Sequence, residues 1–341
     1  MIERTAYLFV CEVSQRAMNS RLLKIVLGFF LSVVICVLGA CFEHPDRPLR
    51  LGTNVWIGYE PLYLARDLNY FNSSSVRLVE YLSASEVIRA FRNQALEAAA
   101  LTLDETLLLL ESKIPVQVFL VASISYGGDV ILGSPDITKF TSLVGKRVGV
   151  EASALGAYFL SRALEEHGLS LTNITIVSLE VGEHVAAYKA GKVDALVTFE
   201  PVRSQLLALG AHELFTSRDI PGEIVNVLVV NQAYFAEHPQ NVRNVVRGWF
   251  RAIDYFTANP HDAASRMQKR LKILPEDALK SYRGFRLPSL EENQKLLQNQ
   301  TPGLRLFAKR LRDLMLTKDL LRTPVQLDSL FSAVALQKDS S

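Results

Sequence analysis

Six carboxylates, Glu60, Asp104, Glu105, Asp129, Glu151 and Glu200, stand at or beside the ends of short apolar runs. No Lys or Arg holds an equivalent place, since Lys146 and Arg147 lie where a run begins. Gathered together, such groups repel one another and favour a cation. Two unit charges about 4 Å apart interact by about 4 kcal/mol at an effective dielectric of 20. An anion site would instead show basic side chains or bare helix amino termini. Trp56, Tyr59, Tyr126, Tyr158 and Phe199 fall in the same stretches and offer faces for a flat ring or an ammonium group.

Some of these residues also have a plainer reading. Glu60, Asp104 and Glu200 suit the first turns of helices, where a carboxylate complements the dipole. Asp129 and Glu151 do not, because each adjoins a strand with small residues beside it. Ser83 and Ser85 read as caps of one helix. The amides that follow Ser153 open another and could meet a polar ligand atom. His184, beside Glu183, is expected solvated at a helix start, with a place in the cleft as the alternative. The ligand-contacting set drawn from these ends is Asn54, Trp56, Tyr59, Glu60, Ser85, Thr102, Asp104, Asp129, Glu151, Ser153, Tyr158 and Glu200.

Other chemistries are disfavoured. The cysteines are Cys11, Cys36 and Cys41, all near the amino terminus, so a structural disulfide or a cysteine nucleophile in the folded part is not expected. The chain has no His-Glu-x-x-His spacing and no Gly-x-Ser-x-Gly elbow, so no catalytic residue, cofactor or metal is expected. Segment 1–40 carries four basic and two acidic residues, which equals the net charge of +2 for the whole chain. The remainder is therefore neutral, and no nucleic-acid partner is expected.

The amino terminus speaks to location. Residues 25–40 are uncharged and largely apolar, lie behind Arg16, Arg21 and Lys24, and end Leu38-Gly39-Ala40-Cys41. That is the layout of a secretory signal, and the run is shorter than the about 20 residues a membrane span needs. Small residues before a cysteine fit lipoprotein processing, with Cys41 lipidated, and an uncleaved anchor is the alternative. Either way the rest of the chain is expected outside the cytoplasm at a membrane surface. Phe42 after the cysteine leans towards outer-membrane sorting in a host with two membranes. Translation from Met18 rather than Met1 would give a more natural leader. Residues 41–48 form a polar, proline-bearing tether.

The elements that must position the carboxylates alternate. Strands are expected over 49–55, 76–81, 98–101, 116–121, 147–150, 174–177 and 195–199, with helices over 61–68, 85–93, 155–167 and around 186–190. This alternation predicts α/β architecture with parallel-type sheets flanked by helices. Beyond Asn231 only helices are expected. Val242, Val245, Val246, Trp249, Ile253 and Phe256 make one apolar stripe, which puts Trp249 in a core. Residues 91–98 echo residues 188–195: a helix ends, a strand begins at an acidic–alanine pair, and an acidic tip follows. Two similarly built lobes would turn both tips towards one cleft, since such sheets bind at their strands' carboxyl ends.

Residues 51–71 (Leu51-Gly52-Thr53-Asn54-Val55-Trp56 to Phe71) resemble the opening of solute-binding proteins of the nitrate, sulfonate, taurine and thiamine-precursor importer type. Residues 143–151 are similar to the segment that opens the second lobe of that fold. The resemblance implies a bilobed type II periplasmic-binding-protein fold with a ligand cleft between lobes. Its divisions would be lobe 1 over 49–133, lobe 2 over 134–221, and residues 222–341 as the return to lobe 1 plus carboxyl-terminal helices. The crossings would lie near 129–133 and at 224–230. It also implies a monomer that closes on a small solute and delivers it to an ABC permease and ATPase. A membrane sensor, or an enzyme of thiamine-precursor or menaquinone pathways, are the alternatives. The acidic inventory points to an amine-bearing or nitrogenous ligand, such as an aminopyrimidine or amidine, in preference to nitrate or a sulfonate.

Overall fold

The computed structural model describes residues 47–151, 154–298 and 303–337. The expected signal segment 1–40, Cys41, most of the expected tether and Ser153 lie outside the described residues. Among those described, the chain forms a six-stranded and a five-stranded mixed sheet, both flanked by helices. The expected α/β class holds.

The first sheet contains β1 (Leu49–Asn54), β2 (Val76–Tyr81), β3 (Ala98–Thr102), β4 (Val116–Ser125), β10 (Val225–Asn231) and β11 (Phe285–Arg286), in the order β11-β4-β10-β3-β1-β2. Strand β1 pairs in parallel with β2 and β3, while β10 runs antiparallel to β3 and β4. The second sheet contains β5 (Asp129–Gly133), β6 (Arg147–Val150), β7 (Thr175–Ser178), β8 (Ala195–Phe199) and β9 (His212–Thr216), in the order β7-β6-β8-β5-β9. The central strands β3, β5 and β8 are buried along their whole length, as near-continuous apolar runs between helical layers should be. The expected elements sit within a few residues of their predicted bounds.

Three expectations need correction. Asp129–Gly133 does not belong to the first lobe, because it pairs antiparallel with β8 and β9 in the second sheet. The first crossing is therefore 126–128. There Gly127 adopts φ +100°, and a Cβ would meet the Arg218 guanidinium within 2.7 Å. The second crossing is 217–224 and not the expected 224–230, because Val225–Asn231 already pairs in the first sheet. It lies beside the first: Ser217 Oγ is 2.7 Å from Ser125 Oγ and accepts the Gly127 N–H at 2.6 Å. Strand β9 carried no clear signal, its exposed edge position admitting His212 and Glu213. Strands also continue past Asn231, since β11 extends the first sheet and Phe331 bridges to Val118. Two-residue pairings leave no periodicity to read.

The lobes are similarly built, and the echo in the sequence marks it. Arg50 at the start of β1 binds Glu97 through its backbone N, Nε and Nη2 at 2.9, 2.9 and 2.6 Å. Arg147 at the start of β6 binds Asp194 through the same three donors at 2.8, 3.0 and 2.8 Å. Each pair spans 47 residues, and raising every number of the first by 97 yields the second. The registers agree: Leu51 lies opposite Ala98, and Val148 opposite Ala195. On this correspondence Gly52 matches Gly149, each with a leucine Cδ where a Cβ would stand, and Asn54 matches Glu151. Beyond Asn231, the helix Pro239–Ala258 buries Trp249 completely, in keeping with the predicted apolar stripe.

Candidate functional site

The ends of β1, β3, β6 and β8 meet where the two sheets face each other, with the beginning of β5 and Asn226 of β10 beside them. Two small cavities of about 20 Å³ each lie there and share Asp129, Glu151, Leu155 and Phe199 as walls. That is room for about one water molecule apiece, so a solute must enter with the lobes further apart.

Each wall has a local cause. The helix Leu103–Glu111 begins with Glu105 Oε2 accepting the Thr102 N–H at 2.9 Å, which holds the Glu105 carboxylate back against the cavity. Trp56 precedes a single 3-10 turn and stands edge-on to Phe199 of the other lobe, centroids 5.4 Å apart at 85°. Its other flank is Phe285 at 5.4 Å. Tyr59 donates to Asn226 Oδ1 at 3.1 Å. Ser83 caps the helix Ala84–Arg92, accepting the Glu86 N–H at 3.3 Å. Ser85 is turned outward, its N–H and Oγ reaching Glu151 Oε1 across the cleft at 3.3 and 3.4 Å.

The electrostatics are unbalanced. Glu105, Asp129 and Glu151 are all at most 5% exposed, and neither cavity has a Lys or Arg in its wall. Burial, reinforced by the Glu105 charge, pushes Glu151 up to about 8. Burial also raises Asp129 to about 6, against the pull of Ser125. Asp129 Oδ2 and Trp56 Nε1 are buried without a hydrogen-bond partner among the described residues. Both line the cavities, one as an acceptor and one as a donor. Among the described residues no group of three or more His, Cys, Asp or Glu is placed to hold a metal ion.

Of the predicted set, Asn54, Trp56, Tyr59, Thr102, Asp129 and Glu151 are brought together at the cavity, and Ser85 touches it through Glu151. Others are not. Glu60 forms an ion pair with Arg270, which also binds Glu80 and lies over the Tyr63 ring at 3.9 Å. Arg270 arrives from the helix Pro260–Leu271, 210 residues further along, which no local pattern foretold. Glu200 pairs with Arg203 at 3.0 Å and accepts the Ser204 N–H at 3.1 Å, so it serves the start of the helix Val202–Leu207 from two residues before it and not, as expected, from within its first turn. Asp104 is buried beside Glu105, and burial plus that charge raise it to about 8, but it stands behind the wall. Consecutive helix residues point about 100° apart, so only Glu105 of the pair reaches the cavity. Tyr158 donates to Glu223 Oε2 at 2.6 Å and is turned away. Tyr126 is half-exposed at a crossing.

Two further residues stand in the wall. His184 is fully buried rather than solvated, with Nδ1 3.2 Å from Thr198 Oγ1 and its pKa lowered by burial to about 4. Asn226 was missed, although a polar side chain in the middle of the apolar residues 224–230 was a legible signal.

Two lobes joined by two adjacent crossings, with polar groups converging between them, are the architecture of the periplasmic binding proteins. An alkanesulfonate-binding protein from Xanthomonas axonopodis pv. citri, solved with MOPS bound, superposes with a TM-score of 0.71 at 17% identity, over 82% of this chain and 96% of that one. The chain belongs to the NMT1-like family, which matches residues 43–272. It is 25% identical over 218 residues to the taurine-binding periplasmic protein of Escherichia coli (strain K12), covering 61% of this chain and 68% of that protein. It is 24% identical over 224 residues to a 4-amino-5-hydroxymethyl-2-methylpyrimidine phosphate synthase of Aspergillus parasiticus, covering 59% of this chain and 64% of the enzyme's length.

Proposed function

We propose that this chain is the extracytoplasmic solute-binding component of an ABC importer. In this reading it is held at the membrane by a lipid on Cys41 and closes on a small amine-bearing or nitrogenous solute. The taurine-binding and alkanesulfonate-binding relatives support the transport role. The single observation that carries the ligand class is the cavity wall: three buried carboxylates with no Lys or Arg, and a His184 that burial keeps neutral. A cationic group would release the protons that burial holds on Glu151 and Asp129, and would give the free Asp129 oxygen a donor. Taurine itself carries both an ammonium and a sulfonate, and this wall suits the first. Trp56 and Phe199 supply the aromatic faces.

Contacts from both lobes make closure depend on the solute, which is the signal for a permease or, in the sensing alternative, a receptor. The synthase relative keeps an enzymatic alternative in view. A thermal-shift screen of the full-length chain in detergent against amines, aminopyrimidines, sulfonates and nitrate tests the reading. One-to-one stabilisation by amines is expected. Stabilisation by oxyanions alone would overturn the ligand class, and steady conversion of the ligand would overturn the binding role. Loss of fatty-acid labelling in Cys41→Ala tests the anchor.

A further inference from the structure

We infer that the Glu151 carboxyl group acts as a built-in acceptor, filling with its own oxygen the position where the cleft would otherwise receive the oxyanion of a solute. The inference rests on the cleft assigned above, though not on the amine as ligand.

The helix Ala84–Arg92 has nine residues and presents its amino terminus to the cleft. Its cap Ser83 satisfies Glu86, leaving the Ala84 and Ser85 amides for another acceptor. Amides at a helix start, with a hydroxyl beside them, form a ready receptor for an oxyanion. Here the acceptor is supplied by the opposite lobe. Glu151 Oε1 takes the Ser85 N–H at 3.3 Å and the Ser85 hydroxyl at 3.4 Å, and the Ala84 amide adds a further donor. Glu151 is only 5% exposed and has no Lys or Arg ion-paired to it among the described residues. A second group aimed into the same space, Asp129 Oδ2, is buried without a donor.

The lobe correspondence shows that this acid is not part of the repeated scaffold. The matching position at the end of β1 is the neutral Asn54. Strand β6 is thus followed directly by a side chain long enough to cross the cleft and to place a carboxyl oxygen where the excluded group would put its own. A sulfonate or carboxylate solute would have to displace a covalently tethered competitor and then lie beside Glu105 and Asp129. Glu151 is therefore the residue that turns the cleft away from oxyanions.

Titration calorimetry with methanesulfonate and taurine, on the full-length chain and on Glu151→Ala, tests this. The unaltered chain is expected to bind methanesulfonate weakly or not at all. Glu151→Ala should gain at least about tenfold in affinity, because the charge-assisted donors at Ala84 and Ser85 are freed. Adding Ser85→Ala should take back part of that gain. Glu151→Ser, which stays polar but is too short to reach the Ser85 donors, serves as a second variant, and gain in either folded variant supports the assignment. Absence of gain in every folded variant overturns it, as does equally tight methanesulfonate binding by the unaltered chain. Amines titrated against the same proteins separate the two readings. Oxyanion gain without any amine binding leaves this inference standing and removes the amine, and the reverse outcome does the opposite.

Discussion

The two lobes share a scaffold and differ in what they bring to the cleft. Both start a central strand with an arginine bound to an acidic residue 47 positions later, and both follow that strand with a helix. Yet the first lobe contributes mainly donors and neutral groups: Asn54, Trp56, Tyr59 and the amides at Ala84 and Ser85. Glu105 is the exception. The second contributes the acids Asp129 and Glu151, with Phe199 as an aromatic face. The scaffold of paired strands and buried apolar faces is conserved between halves because it makes each half fold. The tips diverge because no core depends on them. The lobes also differ in support, since carboxyl-terminal helices are packed only into the larger core. Those helices, which carry no ligand signature of their own, still shape the site: Phe285 flanks Trp56, and Tyr282 donates to the Ile57 carbonyl at 3.1 Å.

The matched ion pairs give the largest expected contrast. Glu97 is 7% exposed as a side chain and Asp194 is 25% exposed. Glu97→Ala should cost about 2–3 kcal/mol, leaving the Arg50 donors unanswered. Asp194→Ala should cost less than about 1 kcal/mol, as exposed pairs do. Chemical denaturation measures both, and equal losses would show that the correspondence is geometric only.

At the tips, Asp129→Asn should weaken binding of a cationic solute by about 1–3 kcal/mol if that carboxylate meets it directly. Glu60→Gln should leave affinity unchanged and lower stability, because its partner is Arg270. Calorimetry together with melting curves separates the two, and a Glu60→Gln affinity loss as large as that of Asp129→Asn would return Glu60 to the site.

The acidic lobe should also make behaviour depend on pH. Asp129 at about 6 and Glu151 at about 8 lie above ordinary carboxylates. Between their unfolded and folded values the native chain therefore holds more protons than the unfolded one. Their contribution to ligand-free stability is full at low pH and fades as pH rises through about 6 to 8. A bound cation prefers the ionised forms, so its affinity should rise over the same window, by up to about tenfold per unit for each proton displaced. The slope should flatten in Glu151→Gln, and an unchanged slope there would assign the titration elsewhere.

The smallest effect is expected at Glu200. Glu200→Gln weakens the pair with Arg203 and the bond to the Ser204 amide, costing about 1 kcal/mol while sparing affinity. A clear loss of solute affinity would instead place Glu200 in the cleft.

By itself the sequence determined the class of fold, the order along the chain of nine of the eleven described strands, the echo between the lobes and the acidic character of their tips. These follow from short-range patterns: apolar runs of strand length, helical stripes such as the one holding Trp249, and the echo at 91–98 and 188–195. Only the tertiary structure decided which carboxylates share one space. Glu60 and Glu200 were removed by Arg270 and Arg203, the first from a helix 210 residues away. Glu105 rather than Asp104 faces inward because a helix turns by about 100° per residue. Strand β5 joined the second sheet because its backbone partners, β8 and β9, begin 66 and 83 residues after it does. Burial in a cleft closed by both lobes then set the protonation of Asp129 and Glu151, and charges at such a site take their energies from surroundings that only the folded chain assembles.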